Sequence, residues 1–215
     1  MTARLADLAN VLVALVASLT IASCGNGGGG ASVAPGTLDC RSGGAAYPAG
    51  GCGTSQGQTI ANYHFEGHNG GIGTPRVTVH VADLYDPDGT KGLRFLVLSA
   101  TSLWCPYCVE ESKALPSMKA TYGAQGAVFM TVLLEDLRGS PASQNDVDSF
   151  ITTYDTTTIV VNDGGDELAS VFDHKQVPLH LIIDLRTMRI VKRYLGGGSA
   201  TVRSSLELAL AGHSP

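Results

Sequence analysis

From residue 75 onward the chain is a series of apolar runs separated by polar, proline- and glycine-containing breaks. "RVTVHVADL" (76–84) alternates polar and apolar positions, as a half-buried strand does, and "DPDGTKG" (86–92) is a turn cluster. Asp86 and Asp88 lack the spaced ligands and closing glutamate of a calcium loop. "LRFLVLSA" (93–100) is continuously apolar, which predicts a central strand covered on both faces. A helix follows: Pro106 suits a first helical position, Leu115, Met118 and Tyr122 share one face, and Pro116 is expected to kink it. "AVFMTVLL" (127–134) reads as a second buried strand, and "SPASQND" introduces an amphipathic helix marked by Val147, Phe150, Ile151 and Tyr154. "TTIVV" (157–161) is a short third strand, followed by a short helix around Leu168, Val171 and Phe172. "LHLIID" (179–184) and "MRIVKRY" (188–194) form a hairpin through Leu185 to Thr187, and a last helix spans about 199–211, ending at Gly212. Alternation of strand and helix predicts a mostly parallel first half, and the hairpin adds antiparallel edge strands: an α/β fold on a central mixed sheet.

The N-terminal third is patterned differently. Arg4 precedes an apolar run from Leu8 to Ala22, broken only by Asn10, Ser18 and Thr20 and followed by Ser23-Cys24. The run is shorter than the ~20 residues of a comfortable bilayer span. With small residues before the cysteine it resembles a lipobox, so 1–23 is expected to be a lipoprotein signal peptide and Cys24 the lipidated residue. An uncleaved anchor helix is the competing reading, and both export the chain. Residues 24–36 are glycine-rich without periodicity and read as a flexible tether. Residues 37–74 read as a cysteine-containing N-terminal extension packed on the main domain, 75–215.

The whole chain has 215 residues, 44% hydrophobic, enough for one core. A net charge of −5 and the lack of any Lys/Arg cluster exclude a nucleic-acid surface, which needs many phosphates neutralised. Five cysteines is an odd number for an exported protein. Lipidation of Cys24 leaves Cys40, Cys52, Cys105 and Cys108, and in an oxidising compartment Cys40 and Cys52 most simply form a disulfide, two free or metal-bound thiols being the alternative.

The distinctive chemistry lies in "WCPYC" (104–108). A two-residue spacer at a helix start sets Cys105 beside unpaired backbone N–H groups, which favour a thiolate there, with Cys108 about one turn further on and more shielded. Cys105 is then the nucleophile and Cys108 the resolving thiol.

This motif after an apolar strand, together with "QVPLHLIID" (176–184) before a hairpin, resembles the thioredoxin fold, and more narrowly the exported TlpA/ResA-like thiol-disulfide oxidoreductases of the AhpC/TSA-like group. The resemblance covers about residues 75–212. It implies a three-layer α/β/α arrangement, a cis-proline at Val177-Pro178 facing the dithiol, and pairing of the Val177 backbone with a substrate chain. It further implies that Trp104, Pro106 and Tyr107 line the substrate approach, although a core position for Trp104 is equally open, and that Glu111 assists proton transfer. Where cytosolic thioredoxins bury an aspartate beneath the dithiol this chain has Ser99, which leaves Glu111, Glu110 or water as the base for Cys108. The Pro-Tyr spacer is typical of glutaredoxins. The expected partners are protein thiol or disulfide substrates and a membrane or periplasmic dithiol protein, with no bound cofactor and no resident metal. The expected location is a bacterial membrane, anchored by lipid and facing the periplasm or cell surface, and the expected direction is reduction of partner disulfides. A Sco-like copper site would use a three-residue spacer between its cysteines and a downstream histidine; here only His174 and His180 are candidates. A peroxiredoxin pattern fails at Leu98 and Ser102. A redox-inactive scaffold of the same fold is the non-enzymatic alternative.

Overall fold

The computed structural model describes Cys40, residues 46–49 and residues 51–212. The expected signal peptide, Cys24 and the tether lie outside the described residues.

Seven strands form one mixed sheet in the order β2-β1-β5-β4-β3-β6-β7. They are β1 (His64–Asn69), β2 (Arg76–His80), β3 (Phe95–Ser102), β4 (Ala127–Glu135), β5 (Ile159–Asn162), β6 (Leu179–Asp184) and β7 (Arg189–Leu195). The helices are α1 (Pro106–Ser112), α2 (Leu115–Tyr122), α3 (Gln144–Tyr154) and α4 (Ser199–Leu210). β3, β4 and β5 run parallel, and β6 and β7 run antiparallel beside β3, as the alternation predicts. Pro116 acts more strongly than a kink: the helix breaks at Lys113–Ala114 and Pro116 stands in the first turn of α2, where its missing N–H costs nothing.

The main departure is β1. Residues 37–74, read as an extension, supply a strand that pairs antiparallel with both β2 and β5, so a boundary at 75 would cut through a continuous sheet. The alternating strand read at 76–84 stops at His80, where Val81–Leu84 turns into a 3₁₀ helix whose Asp83 carboxylate accepts from the His80 N–H.

Both crossovers from β3 to β4 and from β4 to β5 step in the same direction, so their right-handedness puts α2 and α3 on one face of the sheet. α4 joins them there, packing Val202, Leu206 and Ala209 against Val97 and Ile182. Val147, Phe150 and Ile151 of α3 cover Leu133 and Val160. On the opposite face, Leu96, Leu98, Met130, Val132, Val161 and Leu181 are covered by Tyr47, Ile60 and Tyr63 and by residues of the 3₁₀ turns at 81–84 and 169–171. The structure joins Cys40 to Cys52, with Cα atoms 5.7 Å apart, inside this same core. From there the chain pairs with the start of β7, where Gly57 N–H donates to Ile190 O at 2.8 Å and Ile60 N–H to Met188 O at 2.9 Å. It then passes to β1 at the far side of the sheet.

Candidate functional site

β3 ends in the polar Thr101-Ser102, and after Leu103-Trp104 the chain enters α1 with Cys105 as its N-cap. The Cys105 sulfur accepts from the Cys108 N–H at 3.3 Å, a sulfur taking the place of the usual Ser or Asp oxygen. Pro106 occupies the first helical position. On its other side Cys105 Sγ lies 3.8 Å from the carbonyl oxygen of Val177, and the Val177–Pro178 peptide is cis. The chain thus brings together residues more than seventy positions apart, as the resemblance implies.

The two thiols differ in setting. Cys108 is one turn inside the helix and fully buried, and burial, followed by its contact with Cys105 and the Glu111 charge, pushes its thiol well above the ordinary range. Cys105 is free and buried too, but sits at the helix mouth under Val177. Around that mouth Tyr107 is 75% exposed and Trp104 40% exposed, so the indole is a surface group rather than a core one. Its Nε1–H donates to Glu135 Oε2 at 2.6 Å; Ser102 Oγ donates to the same oxygen at 3.3 Å, and His174 Nε2 lies 3.6 Å from Glu135 Oε1. A cleft of about 480 Å³ runs beside Glu135, Pro141 and His174. Another of similar volume lies by Phe95 and Asp184, at the opposite end of β3 from the dithiol.

Glu111, one turn beyond Cys108 on α1, places its Oε2 3.0 Å from His180 Nε2, whereas Glu110 is exposed and paired with Lys113. Ser99, the residue in the place of the thioredoxin aspartate, hydrogen-bonds His180 Nδ1 at 2.9 Å. The sequence offers His180 only as a copper-ligand candidate, and it carries no local signal for Glu135 or Tyr194. Strand register carries the missing signal: β3–β6 pairing sets Ser99 opposite His180, and β6–β7 pairing sets His180 opposite Tyr194. The two histidines considered for copper are thus turned to carboxylates, His180 to Glu111 and His174 to Glu135.

No protein-family model matches the chain, and no curated protein matches its sequence. Solved structures do match in shape. A hypothetical protein from Sinorhizobium meliloti superposes with a TM-score of 0.57 at 19% identity, over 74% of this chain and 86% of that one. A protein assigned as the thiol:disulfide interchange protein DsbE from Chlorobium tepidum gives 0.55 at 18% identity, over 73% of this chain and 96% of that one. One assigned as a thioredoxin from Neisseria meningitidis gives 0.51 at 16%, over 70% and 89%. Among the described residues no helix is long and apolar enough to cross a membrane. What the chain shares with these structures is its architecture, a mixed α/β sheet flanked by helices, and its fold is thioredoxin-like.

Proposed function

We propose that this protein is a thiol-disulfide oxidoreductase that exchanges disulfides with partner proteins through Cys105 and Cys108. The observation that carries the reading is the position of Cys105 Sγ, between the Cys108 N–H at 3.3 Å and the Val177 carbonyl at 3.8 Å, directly before Pro178. Cys105 attacks a partner disulfide and forms a mixed disulfide, releasing one partner sulfur as a thiolate. Cys108 then gives up its proton and attacks Cys105 Sγ, and the second partner sulfur leaves with the electron pair. The net change is oxidation of two thiols here and reduction of one disulfide there. Val177 and Pro178 offer the backbone edge that orients the partner chain, Trp104, Pro106 and Tyr107 line its approach, and Glu111 serves the proton transfer. Electrons are resupplied by a dithiol protein of the membrane or periplasm, so the chain needs no bound cofactor. The sequence pattern of 1–24 supports export with lipidation at Cys24, which suits a reductant that works in an oxidising compartment.

The test is the equilibrium reduction potential of the Cys105/Cys108 couple in the full chain, titrated in thiol buffers and read by alkylation mass spectrometry. A value near or below about −250 mV is expected for a reductant, one near −120 mV would reverse the direction of electron flow, and failure to form a 105–108 disulfide at any potential would overturn the reading.

A further inference from the structure

The helix-bearing face of the sheet carries a polar row close to the dithiol. Ser99 on β3, His180 on β6 and Tyr194 on β7 stand side by side in register. Glu111, three residues beyond Cys108, reaches this row from above. His180 is 1% exposed and the Glu111 side chain 12%. The imidazole is held on one side by Ser99 Oγ at 2.9 Å and stacks obliquely on the Tyr194 ring, centroids 4.9 Å apart. Its Nε2 is at ion-pair distance from Glu111 Oε2 but not aligned for a hydrogen bond, and Glu111 Oε1 and the Tyr194 hydroxyl are buried without a hydrogen-bond partner. A cavity of about 20 Å³, room for one water, is lined by Ser99, Glu111, His180 and Ser199. Burying a carboxylate and an imidazole with incomplete hydrogen bonding costs stability that Leu or Val at these positions would not. The arrangement therefore calls for a role outside folding.

Cys108 supplies one. Its buried thiol is neutral, and the resolving step requires it to lose a proton where solvent does not reach. We propose that His180 is a positioning residue for the Glu111 carboxylate, to which the dithiol reading already assigns the Cys108 proton, and that the two side chains act as a unit. This rests on the dithiol reading above. In the step, the Cys108 S–H bond breaks, its electron pair forms the bond to Cys105 Sγ, the bond from Cys105 to the partner sulfur breaks, and that sulfur departs as a thiolate. The proton passes to the Glu111 carboxylate, with His180 Nε2 beside it as a second acceptor. A lone buried carboxylate would lack that second site. The other titratable groups facing the pair are Cys105 and Cys108 from α1 and Tyr194 from β7; α2 presents Leu115 and Met118, and α4 presents Ser199 and Val202.

The reduced full chain is mixed with the aromatic disulfide DTNB in a stopped-flow instrument between pH 5 and 9. The first thionitrobenzoate released reports attack by Cys105 and the second reports resolution by Cys108. His180→Asn retains an amide near the Ser99 hydroxyl and deletes the Nε2 edge. Slowing of the second phase by about 100-fold at neutral pH is expected, the low end of what loss of a positioned base costs. The first phase should be unchanged, and the slow phase should recover about tenfold per pH unit as hydroxide takes over. Glu111→Gln should do the same, and the double variant should be no slower than either single one. His180→Gln, which restores bulk towards Glu111 but holds no proton, serves if His180→Asn does not fold, and the same slowing is expected. A second phase in the His180 variants whose pH profile overlays the wild type, or slowing in the double variant that multiplies the two single effects, would overturn the pair. A wild-type chain without two phases would instead overturn the dithiol reading.

Discussion

Gly67 lies in the middle of β1 where that strand passes β5, and a methyl group there has nowhere to go. A Cβ built on Gly67 falls 2.3 Å from the Val160 carbonyl oxygen and 2.7 Å from Val161 Cα, both backbone atoms of β5. Ordinary contact needs about 1 Å more, and β5 cannot yield because β4 holds its other edge. Gly67→Ala must then push β1 outward, straining the register pairs Gly67↔Val161 and His68↔Val160 and lifting Phe65 from the core. Loss or stretching of two or three ladder hydrogen bonds at ~1 kcal/mol each, with some loss of packing, comes to ~2–4 kcal/mol. For a domain of this size that is a fall in Tm of about 5–15 °C. Thermal denaturation followed by circular dichroism measures it, with Gly73→Ala as the control, since a Cβ at Gly73 meets nothing within 4 Å. A Gly67→Ala Tm within about 2 °C of the wild type, equal to the control, would refute the argument that β1 is locked against β5.

Three further outcomes are expected. Replacing Cys40 and Cys52 together by serine removes a link across a sequence separation of 12 and should lower stability by ~3 kcal/mol on the chain-entropy estimate; an unchanged urea midpoint would count against the link. In Cys105→Ser, Cys108 should resist iodoacetamide until pH is far above the ordinary thiol range, because burial favours its neutral form. The folded state binds that proton more tightly, so the same group should subtract stability only as pH rises above the ordinary thiol value, and rapid alkylation at pH 8 would contradict the burial. Asp148 is held below the usual carboxylate range first by its Arg76 hydrogen bond and then by His68. Its contribution is therefore present above the ordinary aspartate value and lost as pH falls through the lowered one. Asp148→Asn should flatten the acid limb of Tm against pH, by no more than ~1 kcal/mol for a carboxylate 30% exposed, and an unaltered limb would refute the pairing.

What could be read from the sequence depended on whether a signal was local. β3, β4 and β6 are predominantly apolar runs buried on both faces, and the Cys105 and Cys108 positions are set by a spacing inside one helix turn, so each is visible without knowledge of the fold. β1 is not. Its sequence HFEGHN buries a histidine, His68, whose ring reaches Asp148 eighty residues away, and its central glycine reads as a loop residue unless the close approach of β5 is known. The polar groups of the site follow the same rule. Ser99 and His180 are 81 residues apart, Trp104 and Glu135 are 31 apart, and only strand register brings them together. Pro178 could be matched by position from the resemblance, whereas nothing local in "LHLIID" ties the histidine two residues on to Ser99 or Glu111.

The segment from Gly57 to Ile60 runs along the outer side of β7, and its N–H groups and carbonyls occupy positions that another polypeptide would take. At the other margin β2 is only five residues long and presents Arg76, which is tied to Asp148. A protein whose proposed partners are extended or partly unfolded chains meets strand-forming segments constantly, and an unguarded margin would collect them by backbone pairing alone. With the start of β7 covered by its own chain and β2 kept short and charged, the sheet offers such segments little open margin, so that under the proposed function backbone capture would fall to Val177 and Pro178 beside the dithiol.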